Sequence, residues 1–287
     1  MANYKDIIGI GIRKVSSDPP SPTNGQMWYN TTTKIIKGFK ENPAGAWAAG
    51  GNVNTARYVS GGSGTQTAGL MIAGATAPPN VKRAYTESYN GTSWTEVNDL
   101  NTARQQSSGA GTSTAAITFG GYASFPSPED KTESWNGSSW TEVNDLNTAR
   151  LYGASSGTST SALYFGGDDG ATPTVLAVTE SWDGTSWTEV GDLNEARSLV
   201  SGGGTTNTSA LAFGGYPGSG RTGKTESYDC SSWTELTDLS TARGRMSNGP
   251  MGTKSLSLAV SGHPPSMPLS SATEEWSTIN TVTFTTS

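Results

Sequence analysis

The sequence predicts an all-β protein assembled from one short antiparallel sheet that is repeated along the chain. A nearly identical segment recurs at a fixed period, each copy contains short strand-like runs bounded by turn residues, and no segment shows a helical period. The segment reads TESYNGTSWTEVNDLNTAR at Thr86–Arg104, with further full copies at Thr132–Arg150, Thr179–Arg197 and Thr225–Arg243 and partial copies at Trp47–Arg57 and Thr273–Trp276. Its tryptophans are spaced 47, 46, 47 and 46 residues apart at Trp47, Trp94, Trp140, Trp187 and Trp233.

The second copy shows which strands each unit contains. A small polar run is predicted as the first strand, an apolar run ended by two glycines as the second, an alternating run as the third and a run starting at tryptophan as the fourth. In chain order these strands are Gln105–Gly111, Ala115–Phe119, Lys131–Trp135 and Trp140–Val143. The Asn136-Gly137 pair predicts a hairpin, because both residues tolerate positive φ. Four short antiparallel strands repeated at this period predict the blades of a β-propeller.

The number of blades depends on how the ring closes. Five units are counted, at residues 57–100, 104–146, 150–193, 197–239 and 243–287. Trp47-Ala48-Ala49 aligns with a fourth strand, so it can complete the last blade from the N-terminal side, and this five-blade arrangement is favoured. If Thr281–Thr286 supplies that strand instead, Met27–Asn30, Ile35–Phe39 and Trp47–Ala49 form most of a sixth blade.

The order of residues within the units resembles a known repeat. Two glycines follow the second strand, an aromatic residue lies in the third, and a tryptophan follows about five residues later. The glycine pairs are Gly120-Gly121, Gly166-Gly167 and Gly214-Gly215, with weaker forms at Ala73-Gly74 and Ser261-Gly262. This order resembles the kelch repeat over about residues 57–287, which implies a kelch-like β-propeller domain over residues 47–287.

The first 46 residues break the repeat. Residues 1–24 are predicted to be an extended attachment arm, since Ser16–Pro22 contains three prolines, and residues 25–46 to be a β-hairpin connector or partial blade with its turn at Asn30–Lys34. The run SSDPPSPTNGQMWYNTTTKIIKGF resembles a segment near the start of many tailed-phage virion proteins, in particular fibre and surface proteins of the marine and cyanophage type. The resemblance implies contacts with other virion proteins, for which the candidate anchor residues are Tyr4, Ile7, Ile8, Trp28 and Tyr29.

Composition excludes several classes of function. Residues 1–46 carry a net charge of +3 and the remainder −9, and an acidic body argues against nucleic-acid binding. No apolar run approaches the roughly 20 residues of a membrane helix, and no signal peptide is recognised, so the chain is expected to fold in a cytoplasm without membrane insertion. Cys230 and His263 are the only cysteine and histidine, so a copper-radical site like that of some kelch-like oxidases is not expected.

The most regular residues are interpreted as architecture. One glutamate and one arginine recur in each unit at constant spacing, whereas acid–base catalysis needs groups in different environments. The predicted structural residues are Arg57, Arg104, Arg150, Arg197, Arg243, Glu87, Glu133, Glu180, Glu226, Glu274, Trp94, Trp140, Trp187 and Trp233. We expect each arginine to pair with a glutamate and the tryptophans to pack between blades.

The loops between the second and third strands differ in length, charge and aromatic content, while the sequence around them is nearly constant. Such loops gather on one face of a propeller, where a rigid scaffold can present them. The candidate partner-binding residues are Lys82, Arg83, Tyr122, Phe125, Tyr216 and Arg221. Free drift of surface loops is an equally good explanation of their variation.

These observations favour a non-enzymatic structural protein of a phage virion, a fibre, tail accessory or capsid-surface protein. Its propeller would contact a host-surface glycan or protein, and it would be a homo-oligomer or present in several copies per particle. No cofactor or metal is expected, since Asp168-Asp169-Gly170 is a weak calcium signal. The alternative is a kelch-like carbohydrate- or protein-binding module without a virion role.

Overall fold

The structure is a computed structural model that describes residues 13–17, 27–32, 34–38, 50–124, 127–171, 174–246, 252–265 and 273–277. The chain divides into two compact units, Met1–Ala49 and Gly50–Ser287. Its described strands are β1 (Arg13–Val15), β2 (Met27–Asn30), β3 (Ile35–Gly38), β4 (Gly61–Thr65), β5 (Ala68–Ile72), β6 (Ala75–Thr76), β7 (Val81–Lys82), β8 (Thr86–Tyr89), β9 (Trp94–Val97), β10 (Ser108–Gly111), β11 (Ala116–Phe119), β12 (Thr132–Trp135), β13 (Trp140–Glu142), β14 (Ala154–Thr158), β15 (Ser161–Phe165), β16 (Thr179–Trp182), β17 (Trp187–Glu189), β18 (Ser201–Thr206), β19 (Ser209–Phe213), β20 (Thr225–Tyr228), β21 (Trp233–Glu235), β22 (Leu256–Val260) and β23 (Thr273–Ser277). None of the described ranges contains a helix long and apolar enough to cross a membrane.

The first unit contains a small three-stranded sheet. Strands β2 and β3 form the predicted hairpin, with Met27 opposite Gly38 and Asn30 opposite Ile35. The Asn30 side chain accepts a hydrogen bond from the Thr32 backbone N–H at 3.0 Å, which starts the turn. Strand β1 pairs in parallel with β2, so Arg13–Val15, which the sequence places in an extended arm, is extended but belongs to the same sheet.

The second unit repeats one sheet in a propeller-like arrangement. Repeat sheets 1 to 4 are antiparallel and hold their strands in chain order, as β4-β5-β8-β9, β10 to β13, β14 to β17 and β18 to β21. Repeat sheet 5 is described as the pair β22-β23, and β6-β7 form a separate small hairpin. The first strands of consecutive sheets contact one another, β4 with β10, β10 with β14, β14 with β18 and β18 with β22. The predicted strands of the second copy are confirmed, with boundaries that move by one to three residues.

Small residues allow the first strands to approach closely. The Ser155 hydroxyl donates to the Gly109 carbonyl at 2.9 Å, and the Ser108 hydroxyl donates to the Gly153 carbonyl at 3.0 Å. A Cβ atom on Gly202 would lie 2.6 Å from the ring of Phe165, so a larger residue there requires the neighbour to move. The glycine- and serine-rich composition of these strands therefore follows from their packing.

The repeated tryptophans join neighbouring sheets. Trp140 of sheet 2 packs in one buried cluster with Leu70 and Ile72 of sheet 1, and its indole N–H donates to the Thr86 hydroxyl at 3.0 Å. Trp187 donates to Thr132 at 3.0 Å and Trp233 donates to Thr179 at 3.1 Å in the next two interfaces. Each tryptophan thus buries an aromatic surface and satisfies its one polar group against the preceding sheet.

The hairpin between the third and fourth strands differs in detail from the prediction. Trp135 pairs with Trp140, so the loop contains four residues, and Gly137 has a φ of 94° whereas Asn136 is not in the positive-φ region. The Asn136 side chain instead accepts hydrogen bonds from the backbone N–H groups of Ser138 and Ser139, both at 2.9 Å. The asparagine therefore contributes through its side-chain acceptor rather than through a left-handed backbone.

A buried arginine–glutamate pair occurs in every repeat. The guanidinium of Arg150 pairs with Glu180, donates to the carbonyls of Thr148 and Tyr164, both at 3.0 Å, and has no exposed side-chain surface. Glu180 also accepts hydrogen bonds from the backbone and side-chain nitrogens of Asn147, at 2.7 and 2.8 Å. Asn147 follows the fourth strand of sheet 2, so the pair joins the exit of one sheet to the third strand of the next. The other pairs are Arg57–Glu87, Arg104–Glu133, Arg197–Glu226 and Arg243–Glu274.

Hydrogen bonding favours the ionised form of the Glu87 carboxylate. Burial alone would raise the pKa of Glu87, but hydrogen bonds from Asn54, Arg57 and Thr55 outweigh burial and hold that pKa below its ordinary value.

The main-chain carbonyl of the paired arginine makes a further hydrogen bond. The carbonyl of Arg150 accepts from the Gly121 N–H of the preceding sheet at 3.0 Å. One residue type therefore connects two neighbouring sheets through both its side chain and its backbone.

We expect Arg150→Ala to lower the free energy of unfolding by about 3–5 kcal/mol, because Glu180 would remain buried without its partner. Lys131→Ala is the matched control, since Lys131 lies in exposed ion pairs with Glu142 and Asp145, each at 2.9 Å. Denaturant titrations should show a lower midpoint for the first variant and little change for the second. Equal midpoints for Arg150→Ala and the unmodified chain would contradict the structural role of the pair.

Candidate functional site

A pocket of about 570 Å³ lies where the chain enters the first strands of the repeat sheets. This volume is in the range of small-molecule sites. We call it the ring pocket; its lining residues are Tyr58, Val59, Ser60, Asn80, Gln105, Gln106, Tyr122, Tyr152, Leu199, Arg245 and Met246. The entry segments of all five repeat sheets contribute to it.

One backbone position recurs around the pocket, two residues after each paired arginine. Its occupants all have positive φ, at Val59 (51°), Gln106 (60°), Tyr152 (61°), Leu199 (54°) and Arg245 (54°). The N–H of Gln106 donates to the carbonyl of Val59 at 2.8 Å, and the N–H of Leu199 donates to that of Tyr152 at 2.8 Å. These hydrogen bonds link the same position in neighbouring repeats. We call these five residues the ring residues.

The ring residues combine a costly backbone with unlike side chains. A non-glycine residue in this conformation costs on the order of 1–3 kcal/mol, and glycine would avoid most of that cost. The chain nevertheless has Val, Gln, Tyr, Leu and Arg at these five positions, although the segments around them are nearly identical. The variation is thus concentrated on side chains that line one pocket.

Two buried glutamines supply polar groups to the pocket. Gln105 is 2 % exposed and Gln106 is 8 % exposed, and the amide nitrogens donate to the hydroxyls of Tyr122 and Tyr152 respectively. Among the described residues, their side-chain carbonyl oxygens have no hydrogen-bond partner. A buried acceptor without a partner is unfavourable. Because these oxygens have almost no accessible surface, a ligand donor reaches them only when the glutamine side chains turn toward the pocket.

Three cations lie over tyrosine rings around the pocket. Lys82 Nζ is 5.3 Å from the ring centre of Tyr122, and Arg245 Cζ is 5.8 Å from that of Tyr152. Arg221 Cζ is 4.9 Å from the ring centre of Tyr216. None of the three cations forms an ion pair with a carboxylate of the described residues.

The electrostatics of these groups follow from burial and from their proximity. Partial burial and the positive charge of Arg245 lower the pKa of Arg221, but a guanidinium remains charged at neutral pH. Burial, with smaller contributions from Tyr152 and Tyr58, raises the pKa of Tyr122 above its ordinary value. The Tyr122 hydroxyl is therefore protonated at neutral pH.

The loop residues selected from sequence fall into different surroundings. Tyr122 lines the ring pocket, and Lys82 lies over the ring of Tyr122. Arg221 and Tyr216 form a neighbouring cation–π pair. Arg83 instead lies over Tyr85, with 5.4 Å between Cζ and the ring centre, and donates to the Thr76 hydroxyl at 3.3 Å. Phe125 lies outside the described residues.

The remaining candidates take mainly structural positions. Trp140, Trp187 and Trp233 are buried between sheets, whereas Trp94 is only half-buried. Trp28, a candidate residue for the virion interface, is 5 % exposed, so other residues of the chain already cover its indole ring. Tyr29 is half-buried. Tyr4, Ile7 and Ile8 lie outside the described residues.

Sequence reasoning missed most of the ring pocket. It selected the long loops, but the structure brings together residues next to the repeated arginines, among them Gln106, Tyr152, Leu199 and Arg245. A signal was present, because the tripeptides that begin with those arginines read RYV, RQQ, RLY, RSL and RGR in otherwise constant surroundings. What the sequence does not show is that these positions face a common pocket.

The metal and thiol candidates have simple surroundings. The side chains of Asp168 and Asp169 accept hydrogen bonds from the backbone N–H groups of Gly170 and Ala171, at 2.8 and 3.0 Å. Within the described ranges, no group of three or more His, Cys, Asp or Glu residues is placed to hold a metal ion. Cys230 is exposed, with a φ of 86° at the position where other copies have glycine.

Neither a protein-family model nor a curated protein matches this chain. The chemistry of the ring pocket therefore carries the argument about function.

We expect Arg245→Gly to leave the free energy of unfolding unchanged or to raise it by up to about 1 kcal/mol, because Arg245 is exposed and glycine relieves its backbone conformation. Gly166→Ala should lower it by more than about 1 kcal/mol. Gly166 has a φ of 66°, and a Cβ there would lie 2.6 Å from the carbonyl oxygen of Arg197. Thermal denaturation of both variants tests this difference; a clear loss of stability in Arg245→Gly would show that this ring residue supports the fold.

Proposed function

We propose that this chain is a non-enzymatic binding and display protein. The observation that carries the proposal is the contrast between a repeated framework and a pocket whose lining differs in every repeat. A purely structural repeat has no need of costly left-handed backbone at five unlike residues. A binding module gains from it, because each repeat contributes a different contact to one ligand.

The distribution of charged groups supports a role without catalysis. Each repeated glutamate of the described structure is already paired with an arginine, and these pairs are alike from one repeat to the next. The lining of the ring pocket contains tyrosine, glutamine and arginine but no Asp, Glu, His or Cys. This composition suits recognition better than proton transfer at neutral pH.

We further propose that the protein is a phage virion component: a fibre, tail accessory or capsid-surface protein, assembled in the host cytoplasm in several copies per particle. The resemblance of the first unit to tailed-phage virion segments supports this assignment. So does the division into a small first unit and a large repeated unit, which suits attachment by one and display by the other. The partners would be other virion proteins at the N-terminus and a host-surface molecule at the ring pocket.

The propeller-like unit is proposed to be a five-bladed, kelch-like ring that the N-terminal side closes. Asn54 bonds to Glu87 of sheet 1 just as Asn147 bonds to Glu180 of sheet 3. Asn147 lies seven residues after Trp140 on a fourth strand, and Asn54 lies seven residues after Trp47. The equal spacing in the sequence supports closure of a five-bladed ring by the segment that contains Trp47.

A cavity of about 190 Å³ between sheets 4 and 5 has the features of a tryptophan site. It is lined by Thr225, Leu211 and Phe213, and Thr225 is the counterpart of the threonines that accept the indole N–H groups of Trp140, Trp187 and Trp233. A cavity of roughly 150 Å³ already admits a benzene ring. Trp47 lies outside the described residues; substitution of this residue tests the proposed closure from the N-terminal side.

If the N-terminal side closes the ring, we expect Trp47→Ala to lower the free energy of unfolding by about 3–5 kcal/mol, the usual cost of removing a tryptophan side chain from a core. The specific test is a double-mutant cycle with Thr225→Val, whose effect should shrink when Trp47 is absent. The pair Trp233 and Thr179 provides a reference cycle. Full stability of Trp47→Ala, together with loss of stability on removal of residues 278–287, would instead support closure by the C-terminal segment and the six-blade alternative.

For the virion role, we expect deletion of residues 1–24 to abolish incorporation into particles while residues 50–287 still fold. Incorporation is measured by immunoblotting of purified particles, and folding by circular dichroism and thermal denaturation. Particles that retain the truncated chain at the normal copy number would contradict attachment through this segment.

The alternative is a kelch-like carbohydrate- or protein-binding module with no virion role. One observation favours it: the ring pocket is formed wholly by residues of the second unit, so binding requires no particle. This alternative predicts ligand binding by the chain and no association with particles before or after the deletion.

A further inference from the structure

We propose that the ring pocket binds a sugar that carries a carboxylate, as a residue of an acidic polysaccharide. This inference rests on the proposed binding function and specifies the class of ligand. It follows from three features of the described residues: cations without carboxylate partners, buried acceptors without donors, and an exposed aromatic ring in the same pocket.

The cations are available to a negatively charged ligand. Among Lys and Arg side chains in the described part of residues 50–287, all but Lys82, Arg221 and Arg245 have an ion-pair or hydrogen-bond partner. Those three are the cations that lie over the tyrosines in and beside the ring pocket. Their concentration is notable because this unit is acidic overall. A carboxylate matches a guanidinium through two parallel hydrogen bonds.

A simple anion would not satisfy the rest of the pocket. The side-chain oxygens of Gln105 and Gln106 are buried and lack donors. Sulfate, chloride and an isolated carboxylate donate no hydrogen bond. Sugar hydroxyls donate and accept, so they can satisfy both glutamines when those side chains turn toward the pocket, while the carboxylate meets the cations.

An aromatic ring is available for the apolar face of a sugar. Tyr58 lines the pocket and is 44 % exposed, and it is not one of the three tyrosines that lie beneath a cation. A tyrosine ring provides a rigid apolar surface at low entropic cost. One acidic sugar combines the carboxylate, the hydroxyls and the apolar face on a single ring, and the pocket of about 570 Å³ has room for it.

The competing ligand is an acidic peptide, which offers carboxylates together with backbone N–H donors. The peptide fits less well because its backbone N–H donors are spaced along an extended chain. The acceptors without partners are the side-chain oxygens of two consecutive residues, Gln105 and Gln106. The test therefore includes both ligands.

Isothermal titration calorimetry of the full chain with digalacturonate tests the proposal. The methyl ester of digalacturonate is the uncharged control ligand, and tetraglutamate represents the competing acidic peptide. Glucuronate and N-acetylneuraminate extend the panel. We expect the acidic sugars to bind, the ester to bind at least tenfold more weakly, and added salt to weaken acid binding, since the cations are partly exposed.

Three variants assign the contacts. Arg245→Gln should weaken acid binding at least tenfold and leave ester binding unchanged, whereas Gln106→Leu should weaken both. Lys131→Gln removes a cation outside the pocket and should change neither. Thermal denaturation verifies that each variant is folded before its affinity is compared.

The proposal is overturned if no acidic sugar of the panel binds at millimolar concentration, if acid and ester bind equally, or if tetraglutamate binds more tightly than the sugars. It is also overturned if Arg245→Gln, correctly folded, binds as the unmodified chain does. Failure of the proposed virion role is distinguishable, because particle incorporation of the chain lacking residues 1–24 is measured independently of any sugar.

Discussion

The buried arginine–glutamate pair is the interaction on which the rest of the structure depends. In sheet 3, Arg150 binds Glu180 of its own sheet, and its carbonyl accepts the Gly121 N–H of the sheet before. Glu180 in turn holds Asn147, which leaves that earlier sheet. These groups are buried, so each depends on its hydrogen-bond and ion-pair partners. Removal of one group leaves the others buried and unpaired in a low-dielectric interior, which is destabilising. The pair thus determines how one sheet follows the next.

The same pair places the ring residues. Tyr152 lies two residues beyond Arg150, whose side chain and carbonyl are both held, so the backbone between them has little freedom. Strain at Tyr152 can persist because the surrounding structure over-determines that segment. The chain therefore separates two tasks. Identical residues maintain the framework, and the ring residues are left to vary in size, polarity and charge without altering it. This separation is the physical reason for the proposal that recognition takes place at the ring pocket.

Prediction from sequence succeeded where a local pattern has one structural solution. The strands of the second repeat and the hairpin after β12 follow from alternation and turn chemistry, and the structure confirms them within a few residues. The hairpin's mechanism was wrong, since Asn136 acts through its side chain and Gly137 alone has positive φ. The candidate site was predicted less well. Tyr122, Lys82 and Arg221 were selected from loops, but Gln106, Tyr152 and Arg245 were missed because they lie beside residues interpreted as architecture.

By itself, the sequence determined the period, the strand order within each unit and the constant arginine, glutamate and tryptophan positions, because these depend on contacts that every copy repeats. Only the tertiary structure decided which unlike residues meet. Gln106 and Tyr152 are one period apart in the chain and Tyr152 and Arg245 are two periods apart, and they share a pocket only because neighbouring sheets are held in register. Periodicity reveals what the repeats have in common; proximity around a shared pocket is a property of the assembled sheets.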